Sequence, residues 1–237
     1  MHGFENEKFI FYTAGKIGTR TLKYTVGMTD LTKTEIIPGP IRKKSFDLII
    51  ARKEITNKQI VVLVREPVSR FHSGLFELIC KILGGQYIKK ILSQGGDISF
   101  LEDPTFWEVV IEQSILFSSS AWSPNLEFDS KYWQYHIGNW LPDAETVSEI
   151  FTDTTIVNIK DLSNFLVSND IPDSHLNAYS STLFAKDYDT KKVFDAFIQG
   201  LQLLPHRVLQ SANYLRSEKE CYERLINSAS YYNSGTK

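Results

Sequence analysis

The segment TAGKIGTRTL, residues 13–22, contains residue types suited to holding a phosphate-like anion. Its two glycines allow tight backbone turns, and the amides around Gly18 would open a helix whose N-terminus attracts anions. The hydroxyls of Thr19 and Thr21 add hydrogen-bond donors. A Walker A loop reads GxxxxGK[ST], with the lysine at the helix start, whereas Lys16 precedes the second glycine. This order argues against ordinary ATP hydrolysis at the loop.

A second anion-binding signature is VVLVREPVSRFHSGLF, residues 61–76. Arg65 ends a predicted strand, Pro67 begins a predicted helix, and Ser73 lies about 9 Å along that helix at 1.5 Å per residue. An arginine at a strand end can donate two hydrogen bonds to a phosphate, while the serine hydroxyl donates a further one from the helix. Two anion-binding segments on one sheet predict a ligand with two separated phosphate-type groups.

Short apolar runs predict the strands that position both signatures. These runs are KFIFY (8–12), FDLIIA (46–51) and QIVVLV (59–64), which are typical of strands buried on both faces of a parallel sheet. Residues 19–28 and the segment after Pro67 predict helices. The order strand, helix, strand, strand, helix predicts a three-layer α/β fold with ligands at the carboxyl ends of the strands.

The second half of the chain is predicted to be mostly helical. DPTFWEVVIEQSILF has Asp103 as a helix cap and Pro104 in the first turn. TTIVNI (154–159) predicts a further strand, followed by a short helix in DLSNFLVSN. Residues 190–228 predict two helices joined near LLPHR. Residues 119–143, dense in aromatics and turn formers, predict a loop over a site.

Composition predicts one domain over residues 1–237, because the chain is 42% hydrophobic and 13% aromatic. A formal charge of −2 argues against nucleic-acid binding through the overall field. Cys80 and Cys221 lie far apart and predict buried thiols rather than a disulfide or a zinc site. No apolar run reaches the roughly 18 residues of a membrane span, so we expect a cytoplasmic protein that does not act at a membrane.

A local basic stretch has two interpretations of equal weight: a site for an anionic ligand, or a solvated surface. This stretch, residues 42–58, contains only two acidic residues, Asp47 and Glu54. Its basic residues are Arg42, Lys43, Lys44, Arg52, Lys53 and Lys58.

Taken together, the two signatures resemble those of sulfotransferases that use 3'-phosphoadenosine 5'-phosphosulfate (PAPS). GKIGTRTL is similar to their 5'-phosphosulfate loop, VREPVSRFHSG is similar to their 3'-phosphate motif, and the GTR run is closest to the carbohydrate, heparan-type branch. The resemblance implies a P-loop-like fold with a central parallel sheet flanked by helices. It also implies sulfuryl transfer from PAPS to a hydroxyl or amine of a small-molecule or carbohydrate acceptor, with the bisphosphate PAP as product and no metal.

The resemblance further implies residue roles. Lys16 would stabilise the charge that develops as the sulfuryl group leaves, and Arg65 with Ser73 would bind the 3'-phosphate. The 5' group would be held by Gly15, Lys16, Ile17, Gly18, Thr19, Arg20 and Thr21. Lys186 is the nearest substitute for a C-terminal cofactor segment of the family that is not recognisable here.

The general base has two main candidates. Glu54 is the carboxylate nearest the carboxyl end of the FDLIIA strand, although it could equally be an ion-paired surface residue. His136 lies among aromatics in YWQYHIGNW, and an imidazole in general titrates near neutral pH, although a packed structural histidine is the commoner case. His72 and Glu35 remain further options.

Two other functions stay open at this level. A nucleotide or small-molecule kinase on a related sheet would need a carboxylate near a strand end to hold magnesium. A protein of the same fold that binds nucleotide without catalysis would be favoured if no base lies near Lys16. The acceptor is not predicted, because pocket loops rather than the fold decide which acceptor binds. The oligomeric state is not predicted either.

Overall fold

A computed structural model describes residues 2–13, 17, 22, 29–30, 53–83, 89–118, 121–124, 154–171 and 190–232. The chain divides into two compact units. The first comprises residues 1–70, 134–176 and 216–237, and the second comprises residues 71–133 and 177–215. The boundary at residues 70 and 71 falls inside one helix, and the single domain over 1–237 stays a prediction.

The described strands are β1 His2–Glu5, β2 Phe9–Thr13, β3 Thr29–Asp30, β4 Gln59–Val64, β5 Ile115–Ser118, β6 Ala121–Pro124 and β7 Thr155–Asn158. The first unit is built on a five-stranded mixed sheet with the strand order β3-β1-β2-β4-β7. β2, β4 and β7 are parallel to one another, whereas β1 is antiparallel to both β2 and β3. A separate antiparallel pair joins β5 and β6 in the second unit.

Three predicted strands are confirmed as the parallel part of this sheet. KFIFY, QIVVLV and TTIVNI correspond to β2, β4 and β7, and every residue of β2 is buried. The predicted central parallel sheet is part of a mixed sheet, because β1 adds an antiparallel strand that the sequence did not predict. The Asn6 side chain accepts hydrogen bonds from the backbone N–H groups of Lys8 and Phe9, which forms the tight turn between β1 and β2. The FDLIIA segment lies outside the described residues.

The helices named here are α1 Pro67–Leu83, α2 Lys89–Ser93, α3 Pro104–Ser114, α4 Leu162–Ser168, α5 Thr190–Gln202, α6 Pro205–Tyr214 and α7 Arg216–Ile226. The predicted helices beginning at Pro67 and Pro104 are confirmed, and so is the helix in DLSNFLVSN. Asp103 accepts the Thr105 N–H at 2.9 Å, as expected of a cap. Within the predicted helix 19–28, Leu22 alone is described, and it is helical.

Two helix predictions needed correction. Residues 190–228 form three helices rather than two, because a second break falls at Leu215, between α6 and α7. Residues 115–118 leave the helical pattern and pair as β5 with β6. β6 also occupies part of the predicted loop 119–143, most of which lies outside the described residues.

Aromatic packing fixes the first unit around β2. Phe165 of α4 contacts Phe9 and Phe11 edge-on, with ring centroids 5.5 and 6.1 Å apart. Cys221 of α7 belongs to the same core. The predicted buried state of both thiols, Cys80 and Cys221, is confirmed. These apolar contacts pack helices against the faces of the sheet. Polar side chains therefore lie mainly at the ends of the strands.

The second unit packs α5 closely against α3. A Cβ on Gly200 would lie 2.5 Å from the Pro104 carbonyl oxygen and 2.6 Å from Cβ of Trp107, so this contact requires glycine. The Trp107 side chain is fully buried, and its indole N–H donates to the Leu101 carbonyl at 2.7 Å. None of the described helices is both long and apolar enough to cross a membrane.

An ion pair links α3 to α6 in this unit. The Arg207 guanidinium donates to both carboxylate oxygens of Glu112, at 2.9 and 2.8 Å. Hydrogen bonding from Arg207 is the main cause that lowers the pKa of Glu112 below its usual value.

Candidate functional site

The carboxyl ends of the three parallel strands lie on one edge of the sheet. Tyr12 of β2 pairs with Val62 of β4, and Val64 of β4 pairs with Asn158 of β7. Neighbouring strands in a sheet are about 4.8 Å apart. The groups that end or follow these strands therefore lie in one row, which we name the carboxyl edge: Thr13, Arg65, Glu66, Asn158 and Asp161.

At the end of β2, Thr13 is buried and its hydroxyl donates to the Ile17 carbonyl. The Ile17 side chain is itself fully buried, as is that of Leu22. Ile17 therefore anchors the segment to the core, and its side chain is not a ligand-binding group. The other predicted loop residues lie outside the described residues: Gly15, Lys16, Gly18, Thr19, Arg20 and Thr21.

At the end of β4, a cation and a carboxylate are both engaged with the first turn of α1. The Arg65 guanidinium donates to the Ser69 hydroxyl at 2.9 and 3.3 Å. Glu66 accepts the backbone N–H groups of Val68 at 3.0 Å and Ser69 at 2.6 Å. A carboxylate is a favourable cap at this positive end of the helix. A phosphate approaching these N–H groups would compete with Glu66.

Ser73, the other predicted 3'-phosphate residue, is a half-buried residue of α1. It falls in the second unit, whereas Arg65 falls in the first. Their joint site therefore stays a prediction.

A buried ion pair fixes the start of α1 to α7. Nη2 of Arg70 lies 3.0 Å from Oε2 of Glu218, and each side chain is only 1% exposed. Both residues belong to the first unit. One helical turn beyond Glu218, Tyr222 faces the end of β7. The ion pair therefore helps to hold one wall of the carboxyl edge.

At the end of β7, Asn158 bridges two parts of the chain. Its amide nitrogen donates to the Tyr222 hydroxyl at 2.6 Å, and its amide oxygen accepts the Lys160 N–H at 3.0 Å. The side chain is buried, so both hydrogen bonds satisfy polar atoms that water does not reach.

Two tyrosines and two carboxylates complete this end of the row. The Tyr231 hydroxyl lies 3.4 Å from Oδ2 of Asp161. Burial is the main cause that raises the pKa of Tyr222, and the charges of Glu66 and Asp161 raise it further. Burial also raises the pKa of Tyr231, with Asp161 again adding to the effect. Both phenols therefore stay protonated near neutral pH and can donate hydrogen bonds.

The candidate base Glu54 lies at the other end of β4. Residues 53–56 form an exposed-to-half-buried helical turn that ends before Gln59 begins the strand. The structure therefore does not bring Glu54 together with Arg65 at the carboxyl edge. Its role as base stays a prediction, which this location does not favour. His136 lies outside the described residues, as do Glu35 and Lys186.

Sequence reasoning did not single out Asp161 or Glu66. Asp161 comes three residues after the predicted strand residue Asn158, and Glu66 directly follows Arg65. The rule that ligands bind beyond the carboxyl ends of parallel strands would have pointed to both positions. The contacts with Tyr222 and Tyr231 are long-range and have no local sequence signal.

Comparisons of the chain with protein-family models, with curated proteins and with solved structures found no match. Function is therefore inferred from the residues themselves and from where the fold puts them.

Proposed function

We propose that this chain is a PAPS-dependent sulfotransferase with a P-loop-like α/β fold, and that it transfers a sulfuryl group to a hydroxyl or amine, with carbohydrates among its candidate acceptors. The observation that supports the proposal most is the adjacency of two parallel strands. The GKIGTRTL segment follows β2 in the sequence, VREPVSRFHSG follows β4, and β2 and β4 end at the same edge of the sheet. A nucleotide with two separated anionic groups can then engage both segments at once.

The proposed mechanism depends on positioning and electrostatics. The 5'-phosphosulfate is held by the loop, while Arg65 and Ser73 hold the 3'-phosphate. The Lys16 ammonium then offsets the negative charge that grows on the leaving oxygen. Binding at two separated points fixes the sulfur in line with the acceptor atom.

Lys16 has a test of its own. Lys16→Ala should lower turnover on the order of 100 to 1,000-fold while changing PAP binding little, because its charge is needed mainly in the transition state. A loss of turnover below about tenfold, or equal losses in turnover and PAP binding, would contradict this role.

The acceptor proton needs a base, and the carboxyl edge adds Asp161 to the two candidates from the sequence. The three candidates can be distinguished by the variants Glu54→Gln, His136→Asn and Asp161→Asn. Only the variant that lacks the general base should lose turnover by about 100 to 10,000-fold, the usual contribution of general acid–base catalysis. The acidic limb of the pH–rate profile should disappear in the variant that lacks the base. If all three variants keep their activity and profile, then none of these side chains is the base.

Calorimetry tests nucleotide choice directly. PAP should bind more tightly than AMP or ATP without magnesium, because only PAP offers a phosphate to Arg65. A charge-assisted contact contributes roughly 1.5 to 3 kcal/mol, so Arg65→Ala should weaken PAP binding about ten- to a hundredfold and leave AMP binding nearly unchanged. Arg224→Ala, which removes an exposed arginine of α7, is the matched control. Equal affinities for PAP and AMP would contradict the assignment of Arg65.

One observation favours a kinase as the second candidate. Glu66 and Asp161 are carboxylates directly beyond two strand ends, where a kinase would hold magnesium. Among the described residues, no group of three or more histidine, cysteine, aspartate or glutamate side chains could hold a metal ion. Tighter binding of ATP with magnesium than of PAP would replace the sulfotransferase proposal with the kinase.

A further inference from the structure

The Ser69 hydroxyl holds one edge of the Arg65 guanidinium. Both Nε and Nη2 of Arg65 donate to the hydroxyl oxygen, at 3.3 and 2.9 Å. Arg65 follows β4 and is half-buried, whereas Ser69 is an exposed residue in the first turn of α1. A guanidinium is planar and carries its five N–H donors in a fixed fork, so these two bonds restrict the orientation of the whole group.

The backbone on both sides of this contact is held by other groups. The Ser69 N–H donates to a carboxylate oxygen of Glu66 at 2.6 Å, and the next residue, Arg70, forms the buried ion pair with Glu218 at 3.0 Å. Arg65 itself directly follows β4, a strand that is buried along most of its length. The Arg65 side chain is therefore the long, rotatable part of the contact, and the Ser69 hydroxyl limits its freedom.

A hydroxyl is well suited to orient a cation that binds an anion. Ordering a long side chain on a ligand loses conformational freedom, and this loss weakens binding. A carboxylate at position 69 would also order the guanidinium, but its charge would offset that of the arginine. The neutral Ser69 hydroxyl accepts the two hydrogen bonds without adding a negative charge.

We propose that Ser69 is a positioning residue that orients Arg65 for the 3'-phosphate of the nucleotide. The inference rests on the proposed function, in which Arg65 binds that phosphate. It adds a residue to which neither the sequence signature nor the proposed mechanism gives a role. Ser69 acts through Arg65: its hydroxyl orients the guanidinium in the free protein, so less conformational freedom is lost when the phosphate binds.

Calorimetry with PAP and AMP, without magnesium, tests this role. Ser69→Ala removes the hydroxyl, introduces the best helix-forming residue and keeps the backbone N–H that Glu66 accepts. It should weaken PAP binding about two- to tenfold, the scale of ordering one long side chain, and leave AMP binding unchanged. Ser69→Thr retains a hydroxyl and should bind PAP as the native chain does. Ser217→Ala, which removes an exposed serine from the first turn of α7, is the matched control and should change neither affinity.

A double-mutant cycle distinguishes positioning from other roles. If Ser69 acts through Arg65, the loss of PAP affinity caused by Ser69→Ala should disappear in the Arg65→Ala chain, because no guanidinium remains to be oriented. A residue that only supports the fold, or that binds the nucleotide independently of Arg65, would give the same loss in both backgrounds.

Nitrogen-15 NMR of the full chain detects the contact without nucleotide. The Nε–H resonance of Arg65 can be identified as the one that is absent from Arg65→Ala. It should exchange with water more slowly than the Nε–H of the exposed Arg224, because a hydrogen bond protects it. Ser69→Ala should speed this exchange, whereas Ser217→Ala should not.

The inference is overturned if Ser69→Ala binds PAP as tightly as the native chain or more tightly, since tighter binding would mean that the hydroxyl competes with the phosphate for Arg65. An equal loss of AMP affinity, an equal loss in both backgrounds of the cycle, or unchanged Nε–H exchange in Ser69→Ala would overturn it as well. In these cases the proposed nucleotide site stands if the native chain prefers PAP to AMP and Arg65→Ala removes that preference. If the native chain binds PAP and AMP equally, the assignment of Arg65 fails and the inference fails with it.

Discussion

Glu218→Ala should be among the most destabilising single changes in the first unit. The substitution leaves the Arg70 guanidinium buried at 1% exposure without the carboxylate that lies 3.0 Å away. Breaking a buried pair by removing one partner typically costs about 3 to 5 kcal/mol. Since whole domains are stable by only about 5 to 15 kcal/mol, this loss is a large fraction of the total.

Urea unfolding followed by far-ultraviolet circular dichroism measures the loss as a lower free energy of unfolding. Glu220→Ala, an exposed change on the same helix, is the matched control and should stay within about 0.5 kcal/mol of the native chain. The double variant Arg70→Met with Glu218→Leu should recover most of the loss, because replacing a whole buried pair by apolar groups is often neutral or better. A loss below about 1 kcal/mol for Glu218→Ala would refute the view that this pair is a buried structural link.

Three further predictions test the packing, the ionisation and the helix cap. Gly200→Ala should lower the free energy of unfolding by about 1 to 3 kcal/mol through overpacking, and an unchanged urea midpoint would contradict the close contact of α5 with α3. The pKa of Glu112 is lower in the folded chain than in the unfolded chain, so the ionised carboxylate stabilises the fold. This stabilisation is fully present above the unfolded-state pKa of about 4.3, and it is lost as the pH falls through the folded-state pKa. Arg207→Gln should therefore reduce the acid-dependent loss of stability below about pH 4.5, and an unaltered acid dependence would argue against this cause. Glu66→Ala should cost about 0.5 to 2 kcal/mol of stability yet tighten PAP binding, and unchanged PAP affinity would show that no phosphate uses this helix end.

The strands were predictable where burial leaves a continuous apolar run. QIVVLV and KFIFY are buried throughout or nearly so, and such runs indicate strands of a parallel sheet. β1 has no such signal, because its sequence HGFE is short and without β-branched residues. It forms a strand because the Asn6 turn returns it beside β2, and this depends on pairing rather than on local propensity.

The helix errors have a related cause. Residues 115–118 continue an apolar helical pattern, and only the partner strand β6 decides in favour of β5. The break at Leu215 is not marked by glycine or proline, the two residues that usually signal one. Leu215 is fully buried, which its apolar side chain predicts equally well within a continuous helix.

The candidate site was predictable only in part. Arg65 and the segment after Thr13 were found because each directly follows a strand, which a local pattern can reveal. The capping role of Glu66 was missed, because a carboxylate next to an arginine has no local sequence signal that distinguishes a helix cap from a surface charge. The link between Asn158 and Tyr222 joins residues 64 positions apart, and no local pattern reports such a contact.

Under the proposed function, the charges along the carboxyl edge separate donor from acceptor. At the end of β4 the anionic donor finds the Arg65 guanidinium as well as the Glu66 carboxylate, whereas beyond β7 it would meet the Asp161 carboxylate. Two like charges about 4 Å apart repel by about 4 kcal/mol at an effective dielectric constant of 20, which disfavours a phosphate in contact with Asp161. A neutral acceptor hydroxyl has no such penalty and can donate to Asp161, which already accepts from Tyr231, while Tyr222, whose pKa is raised mainly by burial, can donate in return. The acceptor therefore belongs beside β7, and the nucleotide beside β2 and β4.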